Sequence, residues 1–216
     1  MRVLLSRRTL VRRGGILVQV PVKTVSYTSR ETFTRDLVAA GQRQGLSLGS
    51  AAVLTAHIAL STNWGKKMDN YRVAGMKAGA EWRATRPYTV AEACECKAGL
   101  PNRSDSRCIC AEGYGQSYEK SYWRAYESLD AAVADMLSTL RGSRYSASYQ
   151  LLQAADPEYF AQVGRDGWYT ADPKQLKTLM SAHLEKIYGY LGAPSVADVG
   201  PALLIVAAAA WLLLRG

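Results

Sequence analysis

Apolar positions between residues 28 and 63 recur at helical spacing. Phe33, Leu37, Val38 and Ala40 repeat at intervals of three and four behind Thr28-Ser29-Arg30-Glu31, a run with capping-box spacing. A helix is therefore predicted from about 29 to 44, ended by Gly45. The next apolar stretch starts near Ser47 or Ser50 and carries Val53, Leu54, Ile58 and Leu60 to Asn63. It is apolar on nearly every side, which predicts a buried central helix. Later in the chain Ser128 caps a third pattern (Leu129, Ala132, Val133, Met136, Leu137, Leu140), and Ser146–Ala155 and Pro157–Val163 read as short helices. A last amphipathic helix follows Pro173 and runs to about Tyr190.

Strand signals are fewer. Gly15–Val25 is β-branched and partly alternating, a strand or an extended connector, and Pro21 argues against a central strand. Val90–Lys97 and Arg107–Ala111 read as two short strands around a polar loop, with the Tyr-rich residues 113–122 as a connector. The fold class is mainly α (α+β): a helical domain over 28–192 with a small β-hairpin lobe at about 88–122.

Composition adds appendages to that picture. The chain has 216 residues, 48% hydrophobic and 21% charged, enough for one domain with a sizeable core. Its net charge of +9 is concentrated at the start, where Arg2, Arg7, Arg8, Arg12, Arg13 and Lys23 meet no acid before residue 24. Residues 1–27 read as a basic, solvated arm suited to anionic lipid, nucleic acid or another polyanion. Those arginines interrupt the apolar run that a secretory signal needs. At the other end, within 193–216, Val199–Leu214 is an uncharged run of sixteen residues with Trp211 near one end. As a helix it would span about 24 Å, somewhat short of a bilayer core of about 30 Å. It is expected to be a C-terminal hydrophobic helix acting as a single membrane anchor, the alternative being a buried core helix.

Four cysteines form a C-x-C…C-x-C pair: Cys94, Cys96, Cys108 and Cys110. In an antiparallel hairpin with 94 opposite 110, residue 96 falls opposite 108 and all four sulfurs share a face. Two cross-strand disulfides and one structural zinc site both satisfy this spacing. Either would brace a β lobe with little core of its own, and neither makes a cofactor necessary for chemistry.

One stretch carries a resemblance. Ala56–Ala78 reads AHIALSTNWGKKMDNYRVAGMKA, a helix ending at Trp64-Gly65, then a polar loop, then Gly75-Met76-Lys77-Ala78. It resembles the signature of the bacterial cell-wall glucosaminidases, glycoside hydrolase family 73. That signature is A-Q-x-x-L-E-[ST]-G-W-G followed by N-x-x-x-G-I-K-A, and it matches at Ala56, Leu60, Thr62, Trp64, Gly65, Asn70, Gly75, Lys77 and Ala78. Trp82, Trp123-Arg124-Ala125-Tyr126 and Gly167–Pro173 are similar to later family blocks in the same order, so the resemblance covers about 30–190. It implies a lysozyme-like fold and a cleft for peptidoglycan glycan strands.

It also implies roles. The family's proton-donor glutamate falls at Ser61, a degenerate acid position, because a serine hydroxyl is far too weak an acid to protonate a leaving oxygen near neutral pH. The second family carboxylate maps to Glu95, with Glu92 the alternative register, and the cleft tyrosine to Tyr169. His57, Trp64, Asn70, Lys77 and Tyr126 are the candidate substrate-binding positions, and Asp69 is a stand-in acid. A His57–Ser61 base–nucleophile pair is conceivable on one helix face but has no third member in the sequence. The expectation is a peptidoglycan-directed, glucosaminidase-like protein at a membrane, within a virion or a cell-envelope assembly, with hydrolysis weak or lost. The alternative is a pseudoenzyme that binds glycan or serves as a structural component.

Overall fold

The computed structural model describes residues 2–5, 11–13, 16–20, 22–66, 68–99, 114–169 and 171–193. Its centre is α2 (Leu48–Thr62), following α1 (Arg30–Arg43). Ser29 caps α1 by accepting from the Thr32 N–H, and Ser47 caps α2 by accepting from the Ser50 N–H. Val53, Leu54, His57, Ile58 and Ala59 on α2 are all buried, so the helix is enclosed as its composition predicts. Its two buried threonines, Thr55 and Thr62, are satisfied by donating to the carbonyls of Ala51 and Ile58 at 2.7 Å.

Around this rod pack α1, α5 (Ser146–Gln153) and α7 (Pro173–Leu191), while α4 (Leu129–Leu140) lies against α1 and α6 (Tyr159–Arg165) against α7. Ser128 caps α4, and Asp172 caps α7 with Pro173 at its first turn. The helices thus match the sequence pattern closely. Two short pieces escape it: α3 (Ala80–Thr85) and a 3₁₀ turn at Ser143–Tyr145.

The strands differ more. The expected solvated arm is partly structured: β1 (Arg2–Leu5) and β2 (Val11–Arg13) pair with β4 (Lys23–Ser26) and β3 (Ile16–Gln19). β3 ends at Gln19 and β4 begins at Lys23, and Pro21 lies between them in sequence, outside the described residues. β4 also pairs with β5 (Met68–Asp69), giving a three-stranded sheet in the order β1-β4-β5.

The second sheet has the order β2-β3-β6-β7. β6 (Tyr88–Ala98) pairs antiparallel with β7 (Tyr114–Arg124), and β3 touches β6 in parallel at Gln19 and Tyr88. The partner of the first hairpin strand is therefore the Tyr-rich stretch expected as a connector. Eleven residues on each side give a longer ladder than a five-residue strand at 107–111 allows. The register sets Cys94 opposite Tyr118 and Cys96 opposite Gln116. The expected pairing of 94 with 110 is thereby replaced, and Cys108 and Cys110 lie outside the described residues. So does Val199–Leu214; among the described residues no helix is long and apolar enough to cross a membrane.

Candidate functional site

The end of α2 is shaped by a tight reversal. Asn63, Trp64 and Gly65 are three successive residues with positive φ, at 48°, 59° and 67°. Only the last is a glycine, and there a Cβ would run into Phe33 and Tyr27. Thr62 ties the turn, its hydroxyl accepting from the Gly65 N–H at 3.0 Å. The reversal leaves Ser61 exposed on the last turn of an otherwise buried helix.

The Ser61 hydroxyl donates to the His57 carbonyl at 3.2 Å. Its single proton is then spent, so the Tyr169 hydroxyl, in short contact with Ser61 Oγ, is the donor of that pair. Burial holds the Tyr169 hydroxyl well above its ordinary pKa. A phenol kept protonated this firmly orients a ligand or a neighbour well and gives up its proton poorly.

Beneath them His57 is fully buried. Its Nδ1 shares a hydrogen bond of 2.6 Å with the Tyr159 hydroxyl, while Nε2 has no hydrogen-bond partner. Burial lowers the His57 pKa to about 3, so the ring is neutral near pH 7. The rings of Tyr159, Tyr169 and Trp168 lie 5.3–5.7 Å from it. His57 is thus the floor of an aromatic box. A base for Ser61 would need a ring nitrogen at the serine hydroxyl, and the bond from Ser61 goes to the His57 backbone instead.

Lys77 stands on the turn Gly75–Ala78, which is stitched to the end of β7. The Ala78 N–H donates to the Tyr122 carbonyl, the Arg124 N–H to Met76, and Arg124 Nε to the Lys77 carbonyl. Arg124 in turn donates to Asp135 at 2.7 Å, and the same carboxylate oxygen accepts from the Tyr126 hydroxyl at 2.6 Å. A cavity of about 180 Å³ opens here, walled by Lys77, Arg124, Thr139, Tyr145 and Trp168 among others. Trp168 contacts His57 edge-on, so this cavity adjoins the aromatic box.

The remaining sequence candidates fall elsewhere. Trp64 is 4% exposed, its ring stacked on His183 and approached by Arg30 at 5.2 Å. It packs, and offers no face for a sugar. Asn70 is also buried: its Oδ1 accepts from the Lys23 N–H, and its carbonyl from the Tyr126 N–H. With Tyr126 it borders a different cavity, of about 300 Å³, near Lys23 and Pro87. Asp69 accepts from the Thr24 hydroxyl and pairs with Arg72 at 3.8 Å. Glu95 sits on β6 opposite Ser117, and its side chain lies outside the described residues, as does that of Glu92. Ser61, His57 and Tyr169 therefore meet, and Lys77 joins them through Trp168. Tyr159 was not singled out in the sequence; the one signal for it is that a histidine on an apolar helix face requires a buried partner.

No family model and no curated protein matches this chain. Solved structures do. A C-terminally truncated glycoside hydrolase domain of FlgJ from Salmonella typhimurium is 22% identical with a TM-score of 0.50, over 74% of this chain and 99% of that one. A peptidoglycan hydrolase mutant from Sphingomonas sp. A1 is 22% identical with a TM-score of 0.53, over 75% and 98%. The chain therefore has the fold of these glycoside hydrolase and peptidoglycan hydrolase domains.

Proposed function

We propose that this protein is directed to peptidoglycan, holding glycan strands along the exposed end of α2 at Ser61 and the cavity walled by Lys77 and Trp168, and that cleavage by the usual proton-donor route is weak or lost there. One observation carries the reading. The helix end that the resemblance assigns to a glutamic acid bears a serine whose hydroxyl is engaged with Tyr169 and with the His57 carbonyl. Glycoside hydrolysis needs an acid at the leaving oxygen, and loss of a positioned acid costs about 10²–10⁴-fold in rate. The shared fold with peptidoglycan hydrolase domains supports the substrate class. In the same reading the run Val199–Leu214 holds the domain at a membrane.

Muropeptide release from purified sacculi tests the chemistry. Wild type is expected to bind the sacculi and release little, and Ser61→Glu to release disaccharide products at a rate at least about 100-fold higher. Rapid release by wild type, abolished by Glu95→Gln, would overturn the proposal and leave an enzyme that uses another acid.

A further inference from the structure

The segment that carries Trp168 and Tyr169 into the site is held from outside it. It follows α6 directly, where the Gly167 N–H donates to the Gly164 carbonyl and the Trp168 N–H to that of Val163. The Asp166 carboxylate ties this turn to α5 and α6, accepting from the Ser148 hydroxyl at 2.6 Å and from Gln162 at 2.8 Å. The backbone is then gripped by Arg144, from the 3₁₀ turn Ser143–Tyr145. Its Nε donates to the Asp166 carbonyl at 2.8 Å and its Nη2 to the Gly167 carbonyl at 3.3 Å.

Gly167 leaves room for this grip. Its φ is +82°, and a Cβ there would lie 2.3 Å from Arg144 Nη2. The guanidinium occupies the space that a side chain would need, so the glycine answers both to the backbone and to the arginine. A planar guanidinium donating to two successive carbonyls fixes the direction in which the chain leaves the turn, because its N–H groups form a rigid fork.

What leaves the turn is the site itself. Tyr169 reaches Ser61 by a hydrogen bond and lies 5.3 Å from the His57 ring, which Trp168 meets edge-on at 5.4 Å. A second route runs through Tyr145: Arg144 lies over its ring at 5.4 Å, and that ring meets Trp168 edge-on at 5.1 Å. Tyr145 and Trp168 line the cavity beside Lys77, whereas Arg144 is outside its lining.

We propose that Arg144 is a positioning residue of the glycan site, which sets Trp168 and Tyr169 against His57 and Ser61 without touching glycan. The inference rests on the peptidoglycan reading above and adds the residue that keeps the site preformed. Arg144 is exposed, and exposed side chains ordinarily contribute little to stability. Its removal should therefore cost affinity, through lost preorganisation, rather than folding.

Three measurements on the full chain test it: affinity for a soluble peptide-free glycan oligomer, melting temperature, and Trp168 fluorescence without ligand. Arg144→Gln is expected to bind about tenfold more weakly than wild type while melting within about 2 °C of it. Arg144→Lys keeps a charged donor but loses the fork, so its affinity should fall between the two. Trp168 emission, read as the difference between chains with and without Trp168→Phe, should shift to longer wavelength in Arg144→Gln. Wild-type affinity in Arg144→Gln, or an emission that does not move, overturns the positioning role and leaves the glycan reading standing. A loss of affinity no larger than the loss of folded protein would make Arg144 structural only, and also overturns it. Failure of wild type to bind the oligomer overturns the glycan reading and this role with it.

Discussion

His57 shows how a single side chain sets a measurable property. It is neutral in the folded protein because burial disfavours the charged ring, and in the unfolded chain it would titrate near its ordinary value of about 6.5. The folded state thus has the lower pKa. Its contribution is fully present above about pH 6.5 and is lost progressively as pH falls towards about 3. Between those limits the unfolded state binds the extra proton, and stability should fall by about 1.4 kcal/mol per pH unit on this account. His57→Gln, followed by urea unfolding at several pH values from 7 to 4, should show a shallower decline than wild type. Parallel curves would mean that the ring is protonated in the native state. Little of this residue scale was legible in the sequence. Ser61 could be singled out because a motif frames it. The bonds from His57 to Tyr159 and from Ser61 to Tyr169 join residues more than a hundred positions apart, which no local spacing encodes.

At the scale of elements the sequence was more informative, for a physical reason. Helices advertise themselves through a 3.6-residue period and local caps, and Ser29, Ser47, Ser128 and Asp172 all cap where a helix begins. Strands depend on partners. The eleven-residue run from Tyr114 looked like a connector because its Gly and Ser weaken the local signal, and only pairing with β6 decides the matter. The stacks of Arg124 on Trp82 and of Arg83 on Tyr122 were hidden likewise, since each joins α3 to β7. The turn after α2 was legible as Trp64-Gly65, and its geometry yields a sharp expectation. Gly65→Ala must place a Cβ at positive φ against Phe33 and Tyr27, so it should destabilise by about 2–4 kcal/mol. Chemical denaturation reads this directly. A loss below about 0.5 kcal/mol would show that the three left-handed residues rearrange without cost.

For the molecule as a whole, the fold is that of glycoside hydrolase and peptidoglycan hydrolase domains to which the chain is 22% identical. That level of identity is enough to preserve a packed core while individual side chains diverge. The charge of +9 favours anionic surroundings, in keeping with either a cell wall or a lipid surface. Placement at a membrane, proposed from Val199–Leu214, has a simple test. Full-length protein should fractionate with membranes and require detergent for release, and truncation after Gly192 should render it extractable in buffer. Full-length protein released by buffer alone would refute the anchor.

The parallel contact of β3 with β6 carries a consequence for how the chain reaches its fold. Gln19 and Tyr88 meet across an interval that contains α1, α2 and the whole turn after them. Closing so long a loop is entropically costly unless the intervening segment has already collapsed, whereas the β6–β7 hairpin and the α1–α2 pair are local. The helices and the hairpin should therefore form first, and the N-terminal strands should dock last. Since β4 also holds β5 beside the Asn70 turn, the loop leading from Ser61 to Lys77 reaches its final shape only at that late step. The surface between Ser61 and Lys77 is assembled when the two ends of the loop are locked, well after the core that supports it.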